Sequence, residues 1–316
     1  MYRFKIWVFF LLVLTGSIAN AADGFNQVQE LLKAAENGNK EVLDMLIQAG
    51  VTINCTNSYG QTPLMFAAKE KNDECVALLL KARSDVNMVD RDGFTALHEA
   101  GTPESVGLLL QAKATVNKPD PDGLTPLMCA ACSRPIQCIQ QLLDAQADVN
   151  AIYGYDGQTA LIMAASFGNH NALELLLKAK ADPAIADARG RTSLIEGVDH
   201  TASLCLQKLI AAGVPLNHQD NDGKTALMHA VEGGGIDNLA VLIHARAGID
   251  IPDFKDKTPL MRAVEARDPS SVQCLLCAGA NPRDILDDYS DDDDIARLLR
   301  WARDEKFEKL QQLKPR

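Results

Sequence analysis

Threonine recurs along this chain at a nearly fixed interval: Thr62, Thr95, Thr125, Thr159, Thr192, Thr225 and Thr258, with Asp291 where the next would stand. The intervals are 33, 30, 34, 33, 33, 33 and 33 residues. A period of this size marks a small supersecondary unit that cannot bury its apolar face alone and must stack on its neighbours. No other feature limits the fold so strongly. A chain built this way is an array, and its function is expected on a long shared surface rather than in a closed pocket.

The residues around each threonine read as turn, helix, loop, helix. A Thr hydroxyl accepts an N–H at a helix N-cap, and Pro63, Pro126 and Pro259 follow at the first helical position, where no hydrogen bond is lost. The pairs Ala67-Ala68, Ala130-Ala131 and Ala164-Ala165 let neighbouring first helices approach closely. Second helices carry the triplets Leu78-Leu79-Leu80, Leu108-Leu109-Leu110 and Leu175-Leu176-Leu177. The 30-residue unit is expected to lose much of its inter-helix loop, around Gly101 to Glu104, and the 34-residue interval carries an extra residue within Ile152-Tyr153-Gly154-Tyr155-Asp156.

Gly60-Gln61-Thr62-Pro63-Leu64, Gly123-Leu124-Thr125-Pro126-Leu127, Gly223-Lys224-Thr225-Ala226-Leu227 and the hairpin Asp90-Arg91-Asp92-Gly93 resemble the ankyrin repeat family. The resemblance runs from Phe25 to about Asp288. It implies an all-α solenoid of about nine helix-turn-helix units with β-turn or hairpin connections. The expected divisions are a capping repeat over 22–59, seven internal repeats over 60–288 and a capping helix over 289–316, whose packing face is Ile295, Leu298, Leu299 and Ala302.

Residues 1–21 are different. Arg3 and Lys5 precede the uncharged run Ile6 to Leu14, and the stretch ends in Ala19-Asn20-Ala21, the three-part pattern of a secretory signal peptide. Its apolar core is much shorter than the ~20 residues of a membrane span. Cleavage after Ala21 leaves 29 basic against 42 acidic residues, a net charge of −13. That balance disfavours nucleic acid and anionic lipid and favours a protein partner with a basic surface patch. The expected location is exported, in a bacterial periplasm, with a secreted or extracellular protein as the alternative and no stable membrane insertion after cleavage.

No chemistry-bearing pattern survives comparison with the repeat. Cys75, Cys138 and Cys205 share one place in the second helix; successive members are two repeats apart, about 20 Å at ~10 Å per packed layer, against the ~7 Å a disulfide spans. Cys129/Cys132 and Cys274/Cys277 stand four repeats apart, about 40 Å, too far to share a zinc ion. Both pairs read as structural filling, with Cys132 turned toward the concave face. The six histidines show no H-E-x-x-H spacing, and His98 braces its turn. The acidic run of Asp287-Asp288 and Asp291 to Asp294 lacks the alternating pattern of a calcium loop and suits the start of a helix. No cofactor, metal or catalysis is expected.

The family architecture places hairpin tips and the outer side of each first helix on the concave surface. The resemblance therefore nominates Tyr59, Phe66, Arg91, Phe94, Leu124, Tyr153, Tyr155, Gln158, Phe167 and Arg191 as partner-binding residues. Interface anchors are enriched in Tyr, Trp and Arg, and this chain has few aromatic residues to place. The expected function is a non-catalytic protein-protein interaction in the envelope or periplasm, neutralising its partner in the manner of an immunity protein. The alternatives are a protector or assembly factor for an exported enzyme in stress defence, and a secreted effector that binds host proteins.

Overall fold

The computed structural model describes residues 21–200, 203–282, 285 and 294–303. Among these residues there are 17 helices and no strand beyond two isolated antiparallel bridges, Tyr153 with Gln158 and Ala186 with Thr192. No described helix is long and apolar enough to cross a membrane. The leader expected over 1–21 lies outside the described residues apart from Ala21, as do the acids 287, 288 and 291–293 and the part of the expected capping helix beyond Arg303. The chain divides into two compact units, Met1–Asp148 and Val149–Arg316.

In the first unit, four helix pairs follow one another: α1 (Ala21–Glu36) with α2 (Lys40–Gln48), α3 (Pro63–Lys69) with α4 (Asp73–Lys81), α5 (Ala96–Glu99) with α6 (Pro103–Gln111), and α7 (Pro126–Ser133) with α8 (Ile136–Asp144). First helices pack on first helices and second on second. Ala67, Ala68, Ala130 and Ala131 are fully buried where they meet, because only a methyl group fits between helices this close. Leu79, Leu109 and Leu142 fill the layer between first and second helices.

Threonine opens the first helices as the sequence predicts. The Thr62 and Thr125 hydroxyls accept from the N–H groups of Met65 and Met128 at 3.2 and 3.4 Å. Thr95 turns to its own repeat's histidine, with Oγ1 2.9 Å from His98 Nδ1. Long-range polar rungs then tie each loop to the next: the Oδ1 atoms of Asn54, Asn87 and Asn117 accept from the N–H groups of Asp85, Thr115 and Asp148 at 2.8–2.9 Å.

The short repeat differs from expectation. Its inter-helix loop keeps three residues, Ala100 to Thr102, as in the preceding repeat; the missing residues come from the first helix, reduced to Ala96–Glu99. A helix stopped that early leaves carbonyls without their usual partners. Arg134, from the next repeat, supplies the donors: its guanidinium reaches the Leu97 carbonyl at 3.4 Å and donates to the His98 carbonyl. In the regular repeat before, the shorter Asn72 does this work, its Nδ2 donating to the Ala35 and Glu36 carbonyls at 2.9 Å.

The second unit holds α9 (Ala160–Ser166), α10 (His170–Lys178), α11 (Ser193–His200), α12 (Ser203–Ala211), α13 (Ala226–Glu232), α14 (Ile236–His244), α15 (Pro259–Glu265), α16 (Pro269–Cys277) and α17 (Asp294–Arg303). The same rungs recur: Asn150, Asn217 and Asp250 accept from Asp182, Gly248 and Asn281. Ile295 and Leu299 of α17 are buried, and α17 packs on α16. Cys75 and Cys138 in the first unit and Cys205 in the second are all buried, one in each second-helix core position.

Candidate interaction surface

Between the second helix of one repeat and the first helix of the next, the chain makes a tight hairpin whose shape is set by one carboxylate. Asp90 and Asp120 in the first unit, and Asp187, Asp220 and Asp253 in the second, each stand five residues before the repeat threonine. Their Oδ1 atoms accept N–H groups two and four residues on, at 2.7–3.0 Å, and the Asn57 carboxamide does the same in the first hairpin. An Asx side chain used this way stands in for a backbone turn. The 34-residue interval has Gly154 at this place, and its hairpin closes one residue wider, Tyr153 N–H to Gln158 carbonyl at 2.8 Å where Asp90 bonds to Phe94.

In the first unit Tyr59 and Arg91 are both exposed, and their tips touch, the Arg91 N–H donating to the Tyr59 carbonyl at 2.9 Å. Phe66 is half-buried on its helix. Phe94 is also half-buried, its ring stacked on His98 at 5.2 Å. The His98 Nε2 meets the Leu124 carbonyl at 3.1 Å, so Phe94, His98 and Leu124 form one brace across two repeats. Burial holds the imidazole below its ordinary pKa. Cys132 is half-buried, its thiol donating to the Met128 carbonyl, and burial pushes the neighbouring Cys129 thiol up to about 11. A thiol that stays protonated is a poor nucleophile and a poor metal ligand.

In the second unit the most exposed large apolar side chains are Tyr155 (99%), Phe254 (71%), Phe167 (66%) and Ile152 (57%), ahead of Leu204 and Ile236 on second helices; Tyr59 of the first unit is 67% exposed. Tyr153 and Gln158 are half-buried and bridge their own hairpin. Arg191 is engaged inside the fold, its guanidinium paired with Glu196 and 3.4 Å from Asp187, while the Ser166 hydroxyl donates to Glu196 at 2.9 Å. Phe254 and Ile152 were missed in the sequence. Phe254 occupies the same tip position as Tyr155, one residue past the turn carboxylate, and that register was the available signal.

Charged side chains on the first helices of this unit pair with the hairpins that lead into them. His229 Nε2 is 2.8 Å from Asp220 Oδ2, Arg262 Nε is 3.0 Å from Asp253 Oδ2, Lys224 is 2.7 Å from Glu232, and Lys257 is 2.8 Å from Glu265. Burial alone would push the Asp253 carboxyl up. The Arg262 guanidinium and the N–H groups of Lys257 and Lys255 outweigh it and hold the carboxyl below its ordinary range. Among the described residues no cluster of histidine, cysteine and acid side chains could hold a metal ion.

The family described as ankyrin repeats, in three copies, matches residues 31–120, 99–187 and 194–285. This chain is an ankyrin repeat protein. Similar proteins include the E3 ubiquitin-protein ligase XB3 of Oryza sativa subsp. japonica, 38% identical over 80 residues, which are 25% of this chain and 18% of that protein. Human inversin is 29% identical over 183 residues, 56% of this chain and 17% of inversin. The Xenopus laevis neurogenic locus notch homolog protein 1 is 32% identical over 172 residues, 50% of this chain and 7% of that protein. The ankyrin repeat protein thus spans less than a fifth of the length of these eukaryotic relatives, and what they share with it is the repeat array. Ankyrin arrays are protein-interaction modules, and in this one the hairpin tips and the ends of the first helices carry the most exposed large apolar side chains.

Proposed function

We propose that this ankyrin repeat protein is a non-catalytic binding protein that holds a partner protein through its hairpin tips and first helices. The observation that carries this is the exposure of large apolar side chains there, Tyr59, Tyr155, Phe167 and Phe254 above all, while most other large apolar side chains among the described residues are inside. Aromatic residues anchor interfaces, and their recurrence at one kind of exposed position marks that position as a contact surface. In the first unit Phe66, Phe94 and Leu124 support Tyr59, with Arg91 as an exposed cation beside it, and in the second unit Tyr153, Gln158 and Arg191 support Tyr155 and Phe167.

A basic partner patch suits this surface. The exposed charges at the tips are Asp92, Asp122, Asp156, Asp222 and Asp256 against Arg91, Arg189 and Lys255. Export is part of the proposal and rests on Arg3, Lys5, the Ile6 to Leu14 run and Ala19-Asn20-Ala21. A neutralising role, in which the bound partner surface is blocked, rests on that acidic excess. Bacterial origin has no support from the relatives, which are eukaryotic. Fractionation of expressing cells, with N-terminal sequencing of the product, tests export: a product beginning at Met1 in the cytosol would refute it.

The binding reading is tested by capturing partners on the immobilised protein and titrating the recovered partner against the wild type and a Tyr59→Ala, Phe167→Ala double variant. Loss of two anchors should weaken binding by tenfold or more, about 1.4 kcal/mol per tenfold step. Unchanged affinity would show that binding uses another surface.

A further inference from the structure

Four consecutive tips of the second unit form one row in fixed register. The Ala188 N–H donates to the Asp156 carbonyl at 2.7 Å, Asn221 to Arg189 at 2.9 Å, and Phe254 to Asp222 at 3.2 Å. These bonds align equivalent residues. The first position of each tip reads Tyr155, Ala188, Asn221, Phe254, and the second reads Asp156, Arg189, Asp222, Lys255. One line is aromatic, small, small, aromatic. The other alternates acid, base, acid, base.

Both lines are self-complementary when reversed. Laid antiparallel on a second copy, Asp156 faces Lys255, Arg189 faces Asp222, Asp222 faces Arg189 and Lys255 faces Asp156. In the same overlay Tyr155 meets Phe254 at each end, and Ala188 meets Asn221 at the centre. A two-fold interface requires this reciprocity, because the same patch is used by both partners. The middle is low enough to allow approach: the Asn221 carboxamide is tied back to the Ala188 carbonyl at 2.8 Å rather than projecting. Phe254 is held against the preceding turn, its ring lying over Gly223, where a Cβ would come within 2.7 Å of the ring; Gly223 also has φ +80. The tips of the first unit carry no such pattern: their second positions are Tyr59, Asp92 and Asp122.

We infer that the tip row of the second unit is a self-association surface, and that two copies of this chain pair along it antiparallel about a two-fold axis. The row is about 30 Å long at ~10 Å per repeat. A strip of that length and one hairpin wide buries a few hundred Å² per copy, well under the roughly 1,200 Å² total of lasting interfaces, so the pairing is weak, reversible and sensitive to salt. This goes beyond partner binding. Tyr155 and Phe254 serve both readings, but Tyr59 and Phe167 lie outside the row and a charge swap at 189 and 222 touches none of the apolar anchors, so the two readings fail independently.

The test is sedimentation equilibrium of the full chain from about 1 µM to about 1 mM, a range that spans weak to moderate association. The average mass of the wild type should climb toward twice the monomer. Arg189→Asp places like charges opposite each other twice, at 189 against 222 and its symmetry mate, and should weaken dimerisation tenfold or more. Adding Asp222→Arg restores opposite signs at both contacts and should return the dissociation constant to within about threefold of wild type. Both side chains are exposed, and helical circular dichroism should be the same in all three proteins. A wild type that stays monomeric, a single variant that dimerises as well as wild type, or a double variant without recovery would each overturn the inference.

Discussion

Arg134 carries the most local consequence of the irregular repeat. The first helix of that repeat ends at Glu99, and the buried guanidinium holds the Leu97 and His98 carbonyls. Replacing Arg134 with Met keeps a long apolar stem and removes every donor. Hydrogen bonds from a charged donor are worth about 1.5–3 kcal/mol each, but here the bond to Leu97 is long. The desolvation of the guanidinium, whose pKa is lowered chiefly by burial, offsets part of the gain. The expected net loss is about 2–3 kcal/mol for Arg134→Met and about half of that for Arg134→Lys, which offers a point charge in place of a fork. Urea denaturation measures the total, and hydrogen exchange at the Ala100 amide, bonded to the Ala96 carbonyl at 2.9 Å, reports the place. Because repeat arrays couple mainly to nearest neighbours, faster exchange should appear in the Thr95 repeat and its two neighbours first. A Met variant within 0.5 kcal/mol of wild type, with Ala100 exchange unchanged, would refute the account, since it would mean the two carbonyls need no donor.

His98 is neutral in the fold, with Nδ1 accepting from the Thr95 N–H at 3.1 Å and Nε2 donating to Leu124, an assignment fixed by those partners. Its folded pKa is lowered, so the stability it contributes is complete above the unfolded value of about 6.5 and is lost as pH falls below it, at up to ~1.4 kcal/mol per pH unit; thermal melts from pH 7.5 to 5 should show that slope, and His98→Gln should flatten it. Asp90→Asn keeps the accepting Oδ1, as Asn57 does naturally, and should change stability by less than about 0.5 kcal/mol, whereas Asp90→Ala orphans two N–H groups and should cost about 2 kcal/mol by urea denaturation. Arg83, Lys113, Gln146, Lys180 and Arg246 end second helices with φ of 66–67°, the place taken by Gly50, Gly213 and Gly279 elsewhere. Changing Lys113 to Gly should therefore stabilise the protein by about 0.5–1 kcal/mol, read as a raised melting temperature.

What the sequence made legible followed from chemistry that acts within one repeat. The threonine spacing located the starts of the first helices, the alanine pairs located their contacts, and one recurring second-helix position located the buried Cys75, Cys138 and Cys205. The short repeat was misread because Gly101 looks like a truncated loop. The better signal was the distance between helix caps, ten residues from Thr62 to Asn72 and Thr159 to Asn169 but seven from Thr95 to Thr102. A constant loop and a seven-residue gap leave only the helix to shrink. What could not be read were bonds between repeats, since Arg134 lies 36 residues from the carbonyl it holds and nothing near it in sequence announces a missing turn. The same limit applies to the surface. Arg191 has the composition of an anchor and is engaged by Glu196, while Phe254, set among lysines and aspartates, stands largely in water. In a repeat array each surface side chain can be satisfied by the repeat before or after it, so availability depends on the register between layers. That register is why four scattered tips become one alternating row, and why the row can be read by its own reverse.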